Sequence, residues 1–203
     1  MKRIGRAVVF FLVSAWGALA LPYAWGDDGY VQTNLVSDIA GVARNTDANL
    51  VNPWGIALGP NTPIWVADNG AGVATVYDHN GQPFPLGSPL VVTIPPPAGS
   101  PPGTTAAPTG AIFNDTSHFV VSESGKSAPS LFVFATEDGT ISGWNPNVDV
   151  NNAILEVDNS GSGAVYKGLA LLSNKSGDFL AATNFHNGTV DVFDASFGPA
   201  TLA

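Results

Sequence analysis

One spacing, repeated three times, constrains this chain more than any other feature. Gly72, Gly139 and Gly188 are each followed five residues later by an aromatic and then by Asp or Asn: Gly72/Tyr77/Asp78, Gly139/Trp144/Asn145, Gly188/Phe193/Asp194. Each copy sits behind two further matching runs. The first run of each copy is Trp54-Gly55-Ile56-Ala57-Leu58, Thr109-Gly110-Ala111-Ile112-Phe113 or Lys167-Gly168-Leu169-Ala170-Leu171. The second runs, Ile64–Asn69, Leu131–Glu137 and Phe179–Asn184, are almost wholly apolar. The intervals between the three glycines are 67 and 49 residues. The longer interval carries Pro95–Pro108 and an insertion near Phe119–Pro129; without them the period is close to the ~40–50 residues of a propeller blade.

Each run has a physical reading. A glycine in the first strand permits close backbone approach. A second strand that is apolar throughout has both faces covered. A glycine turn leads to a third strand that ends on an aromatic. Asp78-His79-Asn80-Gly81 then forms a turn, where the Asp side chain bonds backbone and Gly takes positive φ. Fourth strands are expected at Leu90–Ile94 and Ala153–Val157. The fold class is therefore all-β: a partial β-propeller of about three four-stranded antiparallel blades stacked face to face. The repeats span about 50–94, 109–158 and 166–197 of a domain covering 25–203. Tyr30–Asp38 is one more strand candidate. The third repeat is expected to lack a fourth strand, since the sequence stops at Ala203. Three repeats do not close a ring, so the chain reads as part of a longer protein, a half-ring needing a partner, or a non-functional truncated fragment. The Pro-rich loop 95–108 is expected to be an extended recognition segment or a disordered insertion.

The first 24 residues are of another kind. Lys2, Arg3 and Arg6 precede an apolar run, Ala7–Leu21, with small-residue cleavage patterns at Ala18-Leu19-Ala20 and Pro22-Tyr23-Ala24. This is the layout of a signal-peptide helix, and it implies a secreted or periplasmic protein. The run is shorter than the roughly 20 residues of a spanning helix, so no stable membrane span is expected after cleavage. With residues 1–24 removed, the four cations Arg44, Lys126, Lys167 and Lys175 face sixteen acids, a net charge of −12. Such a field repels nucleic acid and anionic membrane surfaces. There is no cysteine, so stability rests on core size.

The runs Asn52–Ala57, Ile64–Gly70 and Val76–Asp78 resemble NHL-type propeller repeats. Phe134–Pro146 and Ala164–Ala170 resemble, more distinctively, an uncharacterised family of secreted bacterial propeller proteins, noted in genomes that carry PEP-CTERM sorting systems. That resemblance covers Tyr30–Ala203. It implies an N-terminal half of a longer propeller, with a six-bladed parent. It implies no activity.

In a propeller, the turns between second and third strands and the entries into first strands share one face. The candidates there are Asn52, Trp54, Asp68, Asn69, Glu137, Asp138, Lys167, Asn184 and His186, with Asn187 beside them. Aligned by sequence, Asn69, Glu137 and Asn184 occupy one position, and their oxygens are a candidate calcium set. Such a site resembles the metal centre of gluconolactonase-type six-bladed hydrolases, in which an ion polarises a lactone carbonyl. The preferred account is turn chemistry, because Asn, Asp and Glu satisfy turn backbone groups without any ion. His79, His118 and His186 share no ligand spacing and read as solvated turn residues. Ser122-Glu123-Ser124-Gly125 is no nucleophile elbow. Trp54, Trp65 and Trp144 read as packing, with a ligand platform as the alternative. Function is expected to be binding of a protein, glycan or small ligand on the loop face. The alternative is a calcium-dependent lactonase.

Overall fold

The computed structural model describes residues 30–202, so the leader read over 1–24 lies outside the described residues. Every strand belongs to the compact unit Thr33–Ala203. The N-terminal strand expected over Tyr30–Asp38 is shorter than read. Only β1 (Val36–Ser37) forms, paired in parallel with β2 (Asn45–Thr46).

Three four-stranded antiparallel sheets follow in chain order. Sheet 1 holds β3 (Pro53–Ala57), β4 (Ile64–Asp68), β5 (Val73–Tyr77) and β6 (Val91–Thr93). Then come β7 (Pro108–Phe113) and a hairpin of β8 (Val120–Glu123) and β9 (Lys126–Pro129). Sheet 2 is β7 with β10 (Phe132–Thr136), β11 (Thr140–Trp144) and β12 (Ile154–Asp158). Sheet 3 holds β13 (Tyr166–Asn174), β14 (Gly177–Asn184), β15 (Thr189–Phe193) and β16 (Pro199–Ala200). No α-helix occurs among the described residues; Ser160–Ser162 is a single 3-10 turn.

The short β16 corrects the expectation that the third repeat has no fourth strand. Asp194 makes the turn: its Oδ1 accepts from the backbone N–H of Ser196 at 2.8 Å and of Gly198 at 2.9 Å. The chain reverses within that turn, and Pro199 reaches Phe193. The motif's terminal Asp is therefore a turn former, as Asp78 is, whose Oδ1 accepts from Asn80 and Gln82.

The sheets stack through their first strands, with β7 between β3 and β13. The glycines explain the approach. A Cβ on Gly55 would lie 2.4 Å from the Thr109 carbonyl oxygen, and one on Gly110 would lie 2.8 Å from the Leu169 nitrogen. Only hydrogen fits in either gap. Alternation then divides the core. Phe132 and Phe134 point to sheet 1, where they meet Trp65; Val133 and Ala135 point to sheet 3, where Leu180 and Ala182 lie. Trp65 stacks on Phe132 at 4.3 Å between centroids, and Trp144 lies 4.6 Å from Trp65. The middle strand β10 is buried along its whole length, because both its faces are covered.

Two segments read as insertions are parts of the core or bound to it. The β8–β9 hairpin buries Phe119 and Val121 completely, and Phe119 makes an edge contact with Phe197 at 5.4 Å. The Pro-rich loop is not a disordered insertion. Ala106 is buried, Ala98 N–H donates to Asp158 Oδ2 at 2.8 Å, and Ala107 N–H donates to Asp138 Oδ2 at 2.7 Å. Asp138→Ala is expected to cost about 1.5–3 kcal/mol, the value of a hydrogen bond to a charged group. It should also speed proteolytic cleavage within 95–107. Unchanged protease half-life would refute that role.

Candidate functional site

Four side chains link all three sheets at one end of the stack, where the first strands begin and the second strands finish. Asn52, in the left-handed region at φ 50°, donates from Nδ2 to Asn69 Oδ1 at 3.0 Å. Asn tolerates this backbone better than other non-glycine residues. Backbone bonds hold the pair: Asn69 N–H to Asn52 O at 3.2 Å and Gly70 N–H to Val51 O at 3.0 Å. Asn69 Nδ2 donates to Glu137 Oε2 at 2.8 Å, crossing from sheet 1 to sheet 2. Lys167 Nζ donates to Glu137 Oε1, crossing from sheet 2 to sheet 3. The same ammonium sits over the Trp54 ring, 4.6 Å from its centroid. Lys167's hydrogen bond, and then that of Asn69, hold the Glu137 carboxyl below the usual carboxylate range. The site is thus an ion pair with its charges cancelled, flanked by amides and by Trp54, which is 45% exposed.

Asn52, Trp54, Asn69, Glu137 and Lys167 are therefore brought together. The other candidates go elsewhere. Asp138 turns away to hold the Ala107 backbone. Asp68 is wholly buried in sheet 1, with Thr75 Oγ1 donating to Oδ2 at 2.6 Å. His186 is exposed on the turn after β14, beside Gly163.

Asn184 corrects the alignment. Strand pairing puts Asp68 opposite Val73 and Asn184 opposite Thr189, with Thr136 at the matching place before Thr140. Asn184 is thus equivalent to Asp68 and Thr136, not to Asn69 and Glu137. One residue reverses a side chain's direction in a strand. Asn184 is accordingly buried; Nδ2 donates to Asp191 Oδ2 at 2.9 Å, and Oδ1 accepts from the Val165 N–H at 3.2 Å. The residue that stands with Asn69 and Glu137 is Phe185, 75% exposed, which the sequence reading passed over. The spacing to the turn glycine marks it, since Phe185 stands three residues before Gly188 as Asn69 stands three before Gly72. Trp54 is corrected too: Trp65 and Trp144 are core, but Trp54 is not.

The candidate calcium set does not converge. Glu137 and Asn69 bond each other, Asn184 faces its own sheet, and no cluster of three His, Asp or Glu suited to a metal occurs among the described residues. His118, read as a solvated turn residue, is half-exposed and pairs with Asp178, Nδ1 to Oδ2 at 2.7 Å. No helix among the described residues is long and apolar enough to cross a membrane.

No family model matches this chain. It is similar to three proteins of Acanthamoeba polyphaga mimivirus, each described as an uncharacterized protein. The first is 33% identical over 165 residues, which is 80% of this chain and 38% of the relative. The second is 30% identical over 165 residues, 80% of this chain and 41% of the relative. The third is 35% identical over 96 residues, 47% of this chain and 17% of the relative. This chain spans about two fifths of the length of the first two.

Proposed function

We propose that this chain is a secreted, NHL-like β-propeller-type binding module, each four-stranded sheet a blade, and that its ligand is a glycan received beside Trp54. The observation that carries this reading is the linked set Asn52–Asn69–Glu137–Lys167 with Trp54 left half-exposed against it. A sugar presents an apolar ring face and a rim of hydroxyls. An accessible indole suits the face, and amides with spare donors and acceptors suit the rim. Cancelled charge at the ion pair suits a neutral partner better than an ionic one. The three crossings between sheets hold the groups in fixed relation, which lowers the ordering cost of binding.

The test is a glycan array probed with the full chain. Wild-type protein is expected to retain a defined set of glycans. Trp54→Ala should weaken that binding about tenfold, equivalent to about 1.4 kcal/mol. An array with no retained glycan, or binding indifferent to both Trp54→Ala and Asn69→Ala, would sink the proposal. A calcium-dependent lactonase would need Glu137 to coordinate an ion. Both of its oxygens already accept hydrogen bonds. A calorimetric calcium titration is therefore expected to be the same in wild type and Glu137→Ala.

A further inference from the structure

The stack repeats one joint twice and then leaves it unmade. At the first joint, Gly55 and Ala57 of β3 lie under β7, and Ala111 and Phe113 of β7 fill the space above them. At the second, Gly110 and Ile112 of β7 lie under β13, and Leu169 and Leu171 fill the space. The pairings Ile56↔Val66, Ala111↔Phe134 and Leu169↔Ala182 make Ile56, Ala111 and Leu169 equivalent. Gly55, Gly110 and Gly168 are equivalent for the same reason.

Each half of a third joint is present and open. On β13, a Cβ at Gly168 would meet only Thr183 Oγ1 of its own sheet, at 3.2 Å, where its two counterparts would strike another sheet's backbone. Around it lie Ala170, Leu172, Ala181, Val190 and Val192, a face without charge, with Leu172 37% and Val190 58% exposed. On β3 Ile56 is 70% exposed, and just past its end Leu58 is 63% exposed, although their equivalents Leu169 and Leu171 pack against sheet 2. A hollow of about 260 Å³ lined by Leu35, Val36, Leu50, Ile56, Ile64 and Val66 lies beside Ile56. Leu35, Val36 and Leu50 line that hollow together with Ile56, and Ile56 stays largely exposed.

We propose that a second copy of this chain docks here head to tail, its β3 seated on β13 so that Ile56 enters the notch at Gly168 as Leu169 enters the notch at Gly110. The argument is continuity with the two joints already built: the same glycine notch and the same apolar residue one place beyond it are both offered to solvent. The contact is heterologous, since two different faces meet, and two copies joined reciprocally satisfy both open faces at once.

Sedimentation or light scattering of the full chain tests this. A concentration-dependent dimer is expected below about 100 μM, the range of a modest interface. Ala170→Arg and Ile56→Arg should each abolish it, with far-UV circular dichroism unchanged; Leu172→Glu is a second variant on the β13 face. Mixing Ala170→Arg with Ile56→Arg should restore a dimer, because each supplies the face the other lacks. A wild-type chain that stays monomeric overturns the proposal. So does a dimer that survives Ile56→Arg, which would mean that β13 faces pair with each other. Glycan binding beside Trp54 is read separately, so either proposal can fail alone.

Discussion

Gly55→Ala is expected to cost at least about 3 kcal/mol, the upper range for overpacking a close joint. The added methyl would lie 2.4 Å from the Thr109 oxygen and 2.8 Å from the Ala111 nitrogen. Both are backbone atoms, so no rotamer change relieves the contact, and sheets 1 and 2 must move apart. That movement also loosens the stacking of Trp65 on Phe132. Gly168→Ala is the control in the same register. It meets only a side-chain hydroxyl, and in dilute solution it should be neutral or stabilising by up to about 1 kcal/mol, because alanine loses less conformational entropy than glycine in a strand. Urea unfolding of both variants decides the matter. Equal destabilisation would show that the glycines matter for strand propensity and not for the joint.

Asp68→Asn should remove a loss of stability that the wild type suffers as pH rises. Burial pushes the Asp68 carboxyl up to about 7 from 3.8, the Asp47 charge adds to this, and the Thr75 hydrogen bonds work against it. Its Oδ1 is buried without a hydrogen-bond partner among the described residues. Asp47 faces it while accepting from Tyr77 Oη at 2.8 Å. Between pH 3.8 and about 7 the unfolded chain has released this proton while the folded chain keeps it. Native protein then binds more protons than unfolded protein, and stability falls as pH rises through that window. The site's contribution is fully present below pH 3.8 and is lost above about 7. The shift corresponds to about 4 kcal/mol at most. Carboxyls held low, such as Glu137, contribute in the opposite sense, with stability lost as pH falls. The measurement is therefore the difference between wild type and Asp68→Asn in unfolding free energy, at pH 4 and at pH 8. The variant should be the more stable at pH 8, and a difference that does not change with pH would refute this.

The stacking also explains which strands announce themselves. Strand β10 is apolar and buried throughout because sheets lie on both its faces, whereas β14 is apolar over Phe179–Ala182 yet alternates in burial, because only one of its faces is covered. The Phe119–Pro129 segment looked like an insertion because its buried residues, Phe119 and Val121, fall outside the repeat. Their partners, Phe197 among them, come from a distant part of the chain. Nothing local marks such a pair.

The candidate site divides along the same line. Asn69 and Glu137 could be matched from sequence because each is the polar residue that directly follows its apolar second strand. Asn184 was misplaced although the turns after β4 and β14 both hold four residues: the equivalent of Asn69 is the aromatic Phe185, and the amide of Asn184 drew the alignment one place off.

Local chemistry, written residue by residue, determined the four-stranded unit and its turns: strand composition, glycine at positive φ and Asp at the turn all act within a few residues of one another. Only the tertiary structure decided register, which sheet face each residue meets, and that Lys167 reaches both Glu137 and Trp54. Those depend on how far one sheet slides over the next, and that is fixed by side chains remote in sequence filling the same space.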